Sequence, residues 1–370
     1  MYYLTFFLLA FFISFLLTPW AIWIAKRFQA IRYPPSLVAN KIKEEHKIIA
    51  YRRHLEKPPT PLMGGLSYVI TFFILVILGM LVSKTINFTP KNIWSYALWA
   101  LGALSLFVLG ILDDKYEFAG IYQFLTHAFA ILLFMLSAFD IVVVNIPILG
   151  QIRVDWLVWK SSVFSVVLPG DLISVAIIYM MLYALKFQAG VDGLMEGSTF
   201  IGLLFTFLSA LSLAHYTSAF MAIILAGGLL GFVIYNFNPA LVFSGSTGKS
   251  VIGYLVATLA IIGESKFTVI LGVFALPIID MIYVLTKRFL KYKNVRKMFV
   301  ISDRTHFHYR LMKLGLSEKQ ICLFEYIYTA LAGGLLLLSS EPIKPFTFLF
   351  IWLVTFVIIL YVNKKAESIS

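Results

Sequence analysis

Residues 94–118 read WSYALWALGALSLFVLGILDDKYEF. The 19 residues 94–112 carry no charge, and a helix of that length rises about 1.5 Å per residue, close to the ~30 Å hydrocarbon core of a bilayer. The run stops on two adjacent carboxylates, Asp113 and Asp114, followed by Lys115. A membrane-crossing segment that ends on paired acids raises two matters: how many such segments the chain holds, and what the acids do at the mouth of this one.

Comparable apolar stretches lie near 2–25, 64–83, 121–139, 166–185, 198–214, 218–236, 250–263, 267–286, 322–339 and 345–362, which with 94–112 makes eleven. The expectation is an all-α polytopic membrane protein of about eleven transmembrane helices, a single integral membrane domain over 1–370. Composition agrees: of 370 residues, 61% are hydrophobic and 13% charged, the mean hydropathy is +0.91, and a soluble globule is excluded. Aromatic residues make up 16%, as expected where rings face lipid or sit at its interfaces. One cysteine, Cys322, excludes an internal disulfide and a multi-thiolate metal site, so redox chemistry drops out. The first stretch lacks a basic leader and a small-residue cleavage site, so it reads as a retained first helix.

The net charge of +12 gains meaning from its placement. With the N-terminus outside, the cytoplasmic loops are 26–63, 113–120, 186–197, 237–249 and 287–321, and the C-terminus is also cytoplasmic. Those loops and the C-terminal tail hold 24 of the 30 Lys and Arg residues, as the positive-inside rule requires. The charge therefore points to membrane anchoring and anionic phosphates, with no nucleic acid as partner. Basic loops that only set topology would look the same, and composition does not choose between the two. On the outer side, residues 142–157 alternate around Pro147 and Gly150 and read as a short extracytoplasmic β-hairpin.

Acids at membrane depth cost on the order of 3 kcal/mol, so each is a functional candidate. Asp113 and Asp114 repel one another unless a cation separates them, and a helix C-terminus disfavours both; the plain alternative is a solvated pair. Asp192 lies in a turn with Gly190, Gly193 and Gly197, whose exposed amides suit a polar ligand. Asn236, Asn238 and Pro239 precede a Gly/Ser/Thr/Lys loop at 244–249, placed to meet phosphate at a helix N-terminus. It is not a P-loop, since Phe243 stands where the pattern needs glycine. Asp280 beside Pro277 and Glu325 fit structural pairing as well as function. His306 and His308, flanked by Arg304 and Arg310, suit gripping phosphate, and with no acid or thiol partner they make a poor zinc signature. His46, His54, His127 and His215 are isolated and read as structural or solvated.

Taken in order, the pieces KPPTPLMGG (57–65), DD (113–114), GVDGL (190–194), NFNPALVFSG (236–245), LPIID (276–280) and THFHYRL (305–311) resemble the polyprenyl-phosphate N-acetylhexosamine-1-phosphate transferase family, glycosyltransferase family 4. Eleven helices and the HFHYR form look more similar to its N-acetylglucosamine branch than to the branch of the phospho-N-acetylmuramoyl-pentapeptide translocase. The resemblance implies transfer of a sugar-1-phosphate from a UDP-sugar to a polyprenyl phosphate at the cytoplasmic face of the cell membrane, with release of UMP, in cell-wall or surface-glycan synthesis. It further implies Mg²⁺ at the mouth and a possible homodimer. Asp113, Asp114, His306, His308 and Arg310 would be catalytic, Asp113 and Asp114 also metal-proximal, and Lys57, Gly190, Asp192 and Asn236 would bind substrate.

The chain departs from the family's pattern where metal chemistry is concentrated. Lys186 and Ala189 stand where the family has Asn and Asp, Ser246 replaces an Asp used on magnesium, Ile121 and Gln123 occupy the stretch where a lysine is usual, and Tyr309 replaces a histidine. Two readings follow: a transferase that tolerates an incomplete metal site, or a catalytically impaired paralogue that binds nucleotide or lipid phosphate, with the Lys186 ammonium near the acids in place of the metal. A transporter or scramblase would also carry intramembrane acids, and would need paired broken helices.

Overall fold

The structure, a computed structural model, describes residues 2–33, 58–82, 93–146, 150–161, 164–263, 267–294, 298 and 305–369. Thirteen helices are present among these residues. They are α1 (Tyr2–Arg27), α2 (Gly65–Val82), α3 (Ile93–Tyr116), α4 (Gly120–Met135), α5 (Gly170–Gln188), α6 (Leu194–Ser212), α7 (Tyr216–Asn236), α8 (Gly245–Ile262), α9 (Phe267–Val273), α10 (Ala275–Tyr292), α11 (Phe307–Lys313), α12 (Glu318–Leu338) and α13 (Lys344–Ser368). Nine of them, α1, α2, α3, α5, α6, α7, α8, α12 and α13, are long and apolar enough to cross a membrane. The chain is a multi-pass membrane protein.

Two of the eleven expected segments take other forms. The stretch 121–139 yields α4, whose 16 residues rise only about 24 Å at 1.5 Å each. The stretch 267–286 is interrupted at Phe274 (φ −97°, ψ 21°) and divides into α9 and α10. Pro277 sits in the first turn of α10, where its missing N–H costs least. A helix can restart at such a point, but one running through it would lose a ladder bond.

Between α4 and α5 the chain makes strands. Strand β3 (Val143–Ile146) pairs antiparallel with β4 (Gly150–Arg153), and β5 (Asp155–Lys160) with β6 (Ser165–Pro169). The second pair was not anticipated: residues 166–169 read as the start of a helix, whereas Val166 and Val167 lie opposite Trp159 and Val158 in the ladder. β-Branched residues favour that pleated pairing, and α5 starts only at Gly170. A third short pair joins β1 (Ile31–Arg32) to β2 (Thr60–Pro61).

The centre of the bundle is α7 and α8. Their apolar windows are 78% and 83% buried, against 22% for α1 and for α13, whose Leu and Phe rows face outward. α7 packs on α1, α2 and α6, and α8 on α3 and α5. Trp99 of α3 donates its ring N–H to Thr258 Oγ1 (2.8 Å), and Tyr254 donates its hydroxyl to the Trp99 carbonyl (3.1 Å). Glycine spacing lets α1 approach α7: a Cβ on Gly227 would lie 2.4 Å from the Phe7 carbonyl oxygen, and one on Gly231 2.3 Å from that of Phe11. Small residues one turn apart are the usual means of close helix contact in membranes. Gly227→Leu is therefore expected to cost about 1–3 kcal/mol or more through overpacking, read as a lower melting temperature and less monodisperse protein in detergent; an unchanged melting curve would contradict the close approach.

Candidate active site

One end of the bundle collects the C-terminal ends of α3, α5 and α7, the N-terminal ends of α6, α8 and α12, and the short helix α11. The first cluster forms at the start of α8. Asp114, in the last turn of α3, accepts from the Ser246 amide (2.6 Å), the Thr247 amide (3.1 Å) and the Thr247 hydroxyl (2.5 Å). A carboxylate at a helix N-terminus satisfies orphan amides and complements the dipole. That explains why a C-terminal acid, unfavourable on its own helix, is retained at 6% exposure. Gly245 makes the contact possible: its φ is +67°, and a Cβ there would sit 2.1 Å from Asp114 Oδ2. The segment 60–65 closes over the same loop, with Phe243 N donating to Pro61 O (2.9 Å), Gly64 N to Phe243 O (2.9 Å) and Gly65 N to Ser244 O (3.0 Å). Lys57, at the head of that motif, lies outside the described residues.

The second cluster joins the turn after α5 to the turn after α7. Asn236 accepts from the Gly193 amide through Oδ1 (3.0 Å) and donates through Nδ2 to the Val242 carbonyl (2.8 Å). Asp192 accepts from the Ala240 amide (3.1 Å) and from Asn238 Nδ2 (3.4 Å). Gly193 takes φ +79°, and Tyr326 donates to its carbonyl (2.5 Å). Asp192 and Asn236 thus brace two loops together. Both also line a pocket with Gly190, Glu196, Lys249 and Arg32. Glu196 drew no notice in the sequence, although GLMEGS places an acid in the first turn of an apolar helix. It is 3% exposed, accepts from the Ser244 hydroxyl, which Tyr68 in turn contacts (3.2 Å), and has Lys249 as an electrostatic partner.

The third cluster is the histidine loop. Asp280 of α10 accepts from His306 Nδ1 (2.9 Å) through one oxygen and from the Phe307 amide (2.9 Å) through the other. Against an ionised carboxylate, which only accepts, the donor of this contact is Nδ1, and Nε2 is the other ring position. His306 Nε2 is buried with no hydrogen-bond partner among the described residues, as is Arg310 Nε. His306 stacks parallel to His308 (5.9 Å, 5°). Gly190 brings the two turns into contact, since a Cβ there would lie 2.4 Å from His308 Nε2 and 2.8 Å from the Tyr309 hydroxyl.

Three consecutive residues at the end of α5 tie these parts together. Gln188 donates to the buried Glu325 (2.5 Å), the Phe187 ring lies 4.9 Å from that of His306, and Lys186 donates to Gln123 Oε1. Gln123 of α4 donates in turn to both oxygens of Asp113 (3.0 Å each), which also accepts from the Phe118 amide (2.8 Å). Lys186 therefore reaches the acid pair through a carboxamide. The sequence placed Lys186 near the acids, but Gln123, registered only as a departure from the family's pattern, gave no sign of being the link.

Magnesium is the ion the resemblance implies. Every oxygen of Asp113 and Asp114 already accepts from a protein donor, and no group of three or more His, Cys, Asp or Glu side chains is placed to hold a metal ion among the described residues. Ser246, at one expected ligand position, contributes its backbone N–H to Asp114. The described donor set does not fit a divalent ion.

Comparison with known proteins agrees with the motifs. The model of the family described as Glycosyl transferase family 4 matches residues 96–264. The chain is 28% identical over 317 residues to a probable undecaprenyl-phosphate N-acetylglucosaminyl 1-phosphate transferase of Bacillus subtilis, covering 83% of this chain and 80% of that one. It is 24% identical over 316 residues to a decaprenyl-phosphate N-acetylglucosaminephosphotransferase of Mycobacterium tuberculosis, covering 77% and 74%. It is 27% identical over 307 residues to a phospho-N-acetylmuramoyl-pentapeptide-transferase of Clostridium botulinum, covering 79% and 86%. The family model spans three of the six motifs, those at 113–114, 190–194 and 236–245, and the chain is similar to these polyprenyl-phosphate transferases.

Proposed function

We propose that this protein transfers a sugar-1-phosphate from a UDP-N-acetylhexosamine to a polyprenyl phosphate at the cytoplasmic face of the cell membrane, releasing UMP, in the synthesis of a wall or surface glycan. The observation that carries this reading is the pocket in which Gly190 and Asp192 of one motif and Asn236 of another meet Lys249 and Arg32. Lys249, Arg32 and the turn amides suit a diphosphate at helix ends, although Asp192 and Glu196 in the same lining offset their charge. The activities by which the relatives are named, transfer onto undecaprenyl or decaprenyl phosphate, supply the substrate class.

The acceptor must arrive from the bilayer with its phosphate at the interface. An apolar groove of about 480 Å³ between α3 and α4 is lined by Leu109, Phe118, Tyr122, Leu125, Thr126 and Phe129. It begins beside the acids, because Phe118 lines it while its amide donates to Asp113. An isoprenoid chain fits such a surface through apolar burial alone. In this reading Asp280 fixes the orientation of His306, and the imidazole Nε2 takes a proton from the acceptor and, once protonated, donates to a phosphate oxygen.

The test is transfer of labelled N-acetylglucosamine-1-phosphate from the UDP-sugar to added undecaprenyl phosphate, in membranes lacking the host's own transferase. A labelled lipid product formed together with UMP is the expected result. A second reading, binding without transfer, is favoured by the filled oxygens of Asp113 and Asp114. It predicts saturable UDP-sugar binding with no lipid product, and absence of both binding and product would defeat the two readings together.

A further inference from the structure

We propose that Lys186, joined to Asp113 through Gln123, supplies from the chain itself the positive charge that a divalent ion would otherwise bring, so that a phosphate-bearing ligand binds here without metal. This rests on the reading that a nucleotide sugar is bound at this end of the bundle.

The chemistry of the link supports it. A carboxamide can accept from an ammonium with its oxygen while donating to a carboxylate with its nitrogen, and Gln123 does both, between Lys186 and the two oxygens of Asp113. The negative charge of Asp113 is thus balanced across the interface of α4 and α5. Asp114 is balanced differently, by the N-terminal amides of α8 and by Lys249, an electrostatic partner it shares with Glu196. The Gly245 approach leaves no room for an ion between Asp114 and the α8 backbone, since even a methyl carbon there would be 2.1 Å from the carboxylate.

The substituted positions agree with one another. Lys186, Ala189 and Ser246 present an ammonium, a methyl and a neutral hydroxyl, whereas a hard divalent cation prefers anionic and carbonyl oxygens. Where the family's pattern has a lysine in the stretch holding Ile121 and Gln123, this chain has a carboxamide, and where it has an asparagine this chain has Lys186. That position is one residue from Phe187, which packs on His306, and three from Ala189, which lines the pocket with Gly190. From there the ammonium acts on a ligand phosphate by its charge, not as a lining group of that pocket.

The experiment measures binding of UDP-N-acetylglucosamine to the purified full-length chain in detergent, in EDTA and in excess Mg²⁺. The wild type is expected to bind with affinities within about threefold of each other in the two buffers. Lys186→Asn should bind about tenfold more weakly in EDTA, the loss of one nearby positive charge, while Lys186→Arg stays within a few fold of wild type. The arginine variant also separates loss of charge from misfolding, as does a melting curve of each protein. The triple variant Lys186→Asn, Ala189→Asp, Ser246→Asp should acquire Mg²⁺-dependent binding. If EDTA weakens the wild type tenfold, or Lys186→Asn binds normally in EDTA, the inference is overturned while the transferase reading stands. If no nucleotide binds in either buffer, both are overturned.

Discussion

Asp114→Ala is expected to abolish folding of the site and to give little stable protein. The carboxylate accepts three hydrogen bonds at the first turn of α8, and α8 is the most deeply buried of the candidate spans. Removing the acid leaves two amides and one hydroxyl without an acceptor in a place that water reaches poorly. Bonds to a charged acceptor are worth about 1.5–3 kcal/mol each and an abandoned buried donor costs about 1–3 kcal/mol, so the loss is on the order of several kcal/mol even after discounting for relaxation. A graded series separates the contributions. Asp114→Asn keeps one acceptor oxygen and turns a donor toward an amide, so it should fall between alanine and wild type. Thr247→Val removes only the hydroxyl bond, about 1 kcal/mol. Ser246→Ala should be nearly silent, because Ser246 contributes its backbone N–H. Melting temperatures in one detergent rank the four variants. An Asp114→Ala protein that melts within about a degree of wild type would show that the cap contributes little, since a loss of several kcal/mol shifts the midpoint of a chain this size by several degrees, at roughly 1 °C per kcal/mol.

The acids show what a sequence can and cannot reveal. Asp113 and Asp114 were legible as anomalies, since carboxylates at the end of an apolar helix need a partner. The identity of the partner was not legible, because Thr247 lies 133 residues from Asp114 and Gln123 lies 63 from Lys186. Such pairings are set by how helices pack. The nine long spans were readable because about twenty apolar residues in a row have few alternatives in a bilayer. The break at Phe274 and the β6 strand at 165–169 were misread for a shared reason: apolar runs look alike whether they continue as helix, restart or pair as strands. Glycines carried more than hydropathy does. Gly190, Gly193 and Gly245 marked turns in the sequence, and in the structure they sit where loops touch His308, Asn236 and Asp114. Glu196 was overlooked, although its position in an apolar helix gave the same signal that singled out Asp280 and Glu325.

His306→Ala should separate chemistry from architecture. The imidazole is 2% exposed, its Nδ1 is held by Asp280 at 2.9 Å, and its Nε2 has no partner among the described residues. A structural histidine in that position would be expected to satisfy both nitrogens, since a buried polar atom left alone is costly. An imidazole fixed on one side and open on the other is the arrangement of a group that exchanges a proton or holds an anion. If the transferase reading holds, His306→Ala lowers kcat about 10²–10⁴-fold, the usual range for a positioned acid or base, with a much smaller change in melting temperature than Asp114→Ala causes. Asp280→Asn tests the support: it leaves an acceptor for the Phe307 amide but no longer fixes which nitrogen of His306 carries the proton, so kcat should fall by less than in His306→Ala while KM for the UDP-sugar changes little. A rise in KM with kcat preserved would assign His306 to uniform substrate binding instead. Transfer retained within about threefold in His306→Ala would remove it from the reaction and leave the Asp280 contact as the anchor that starts α11.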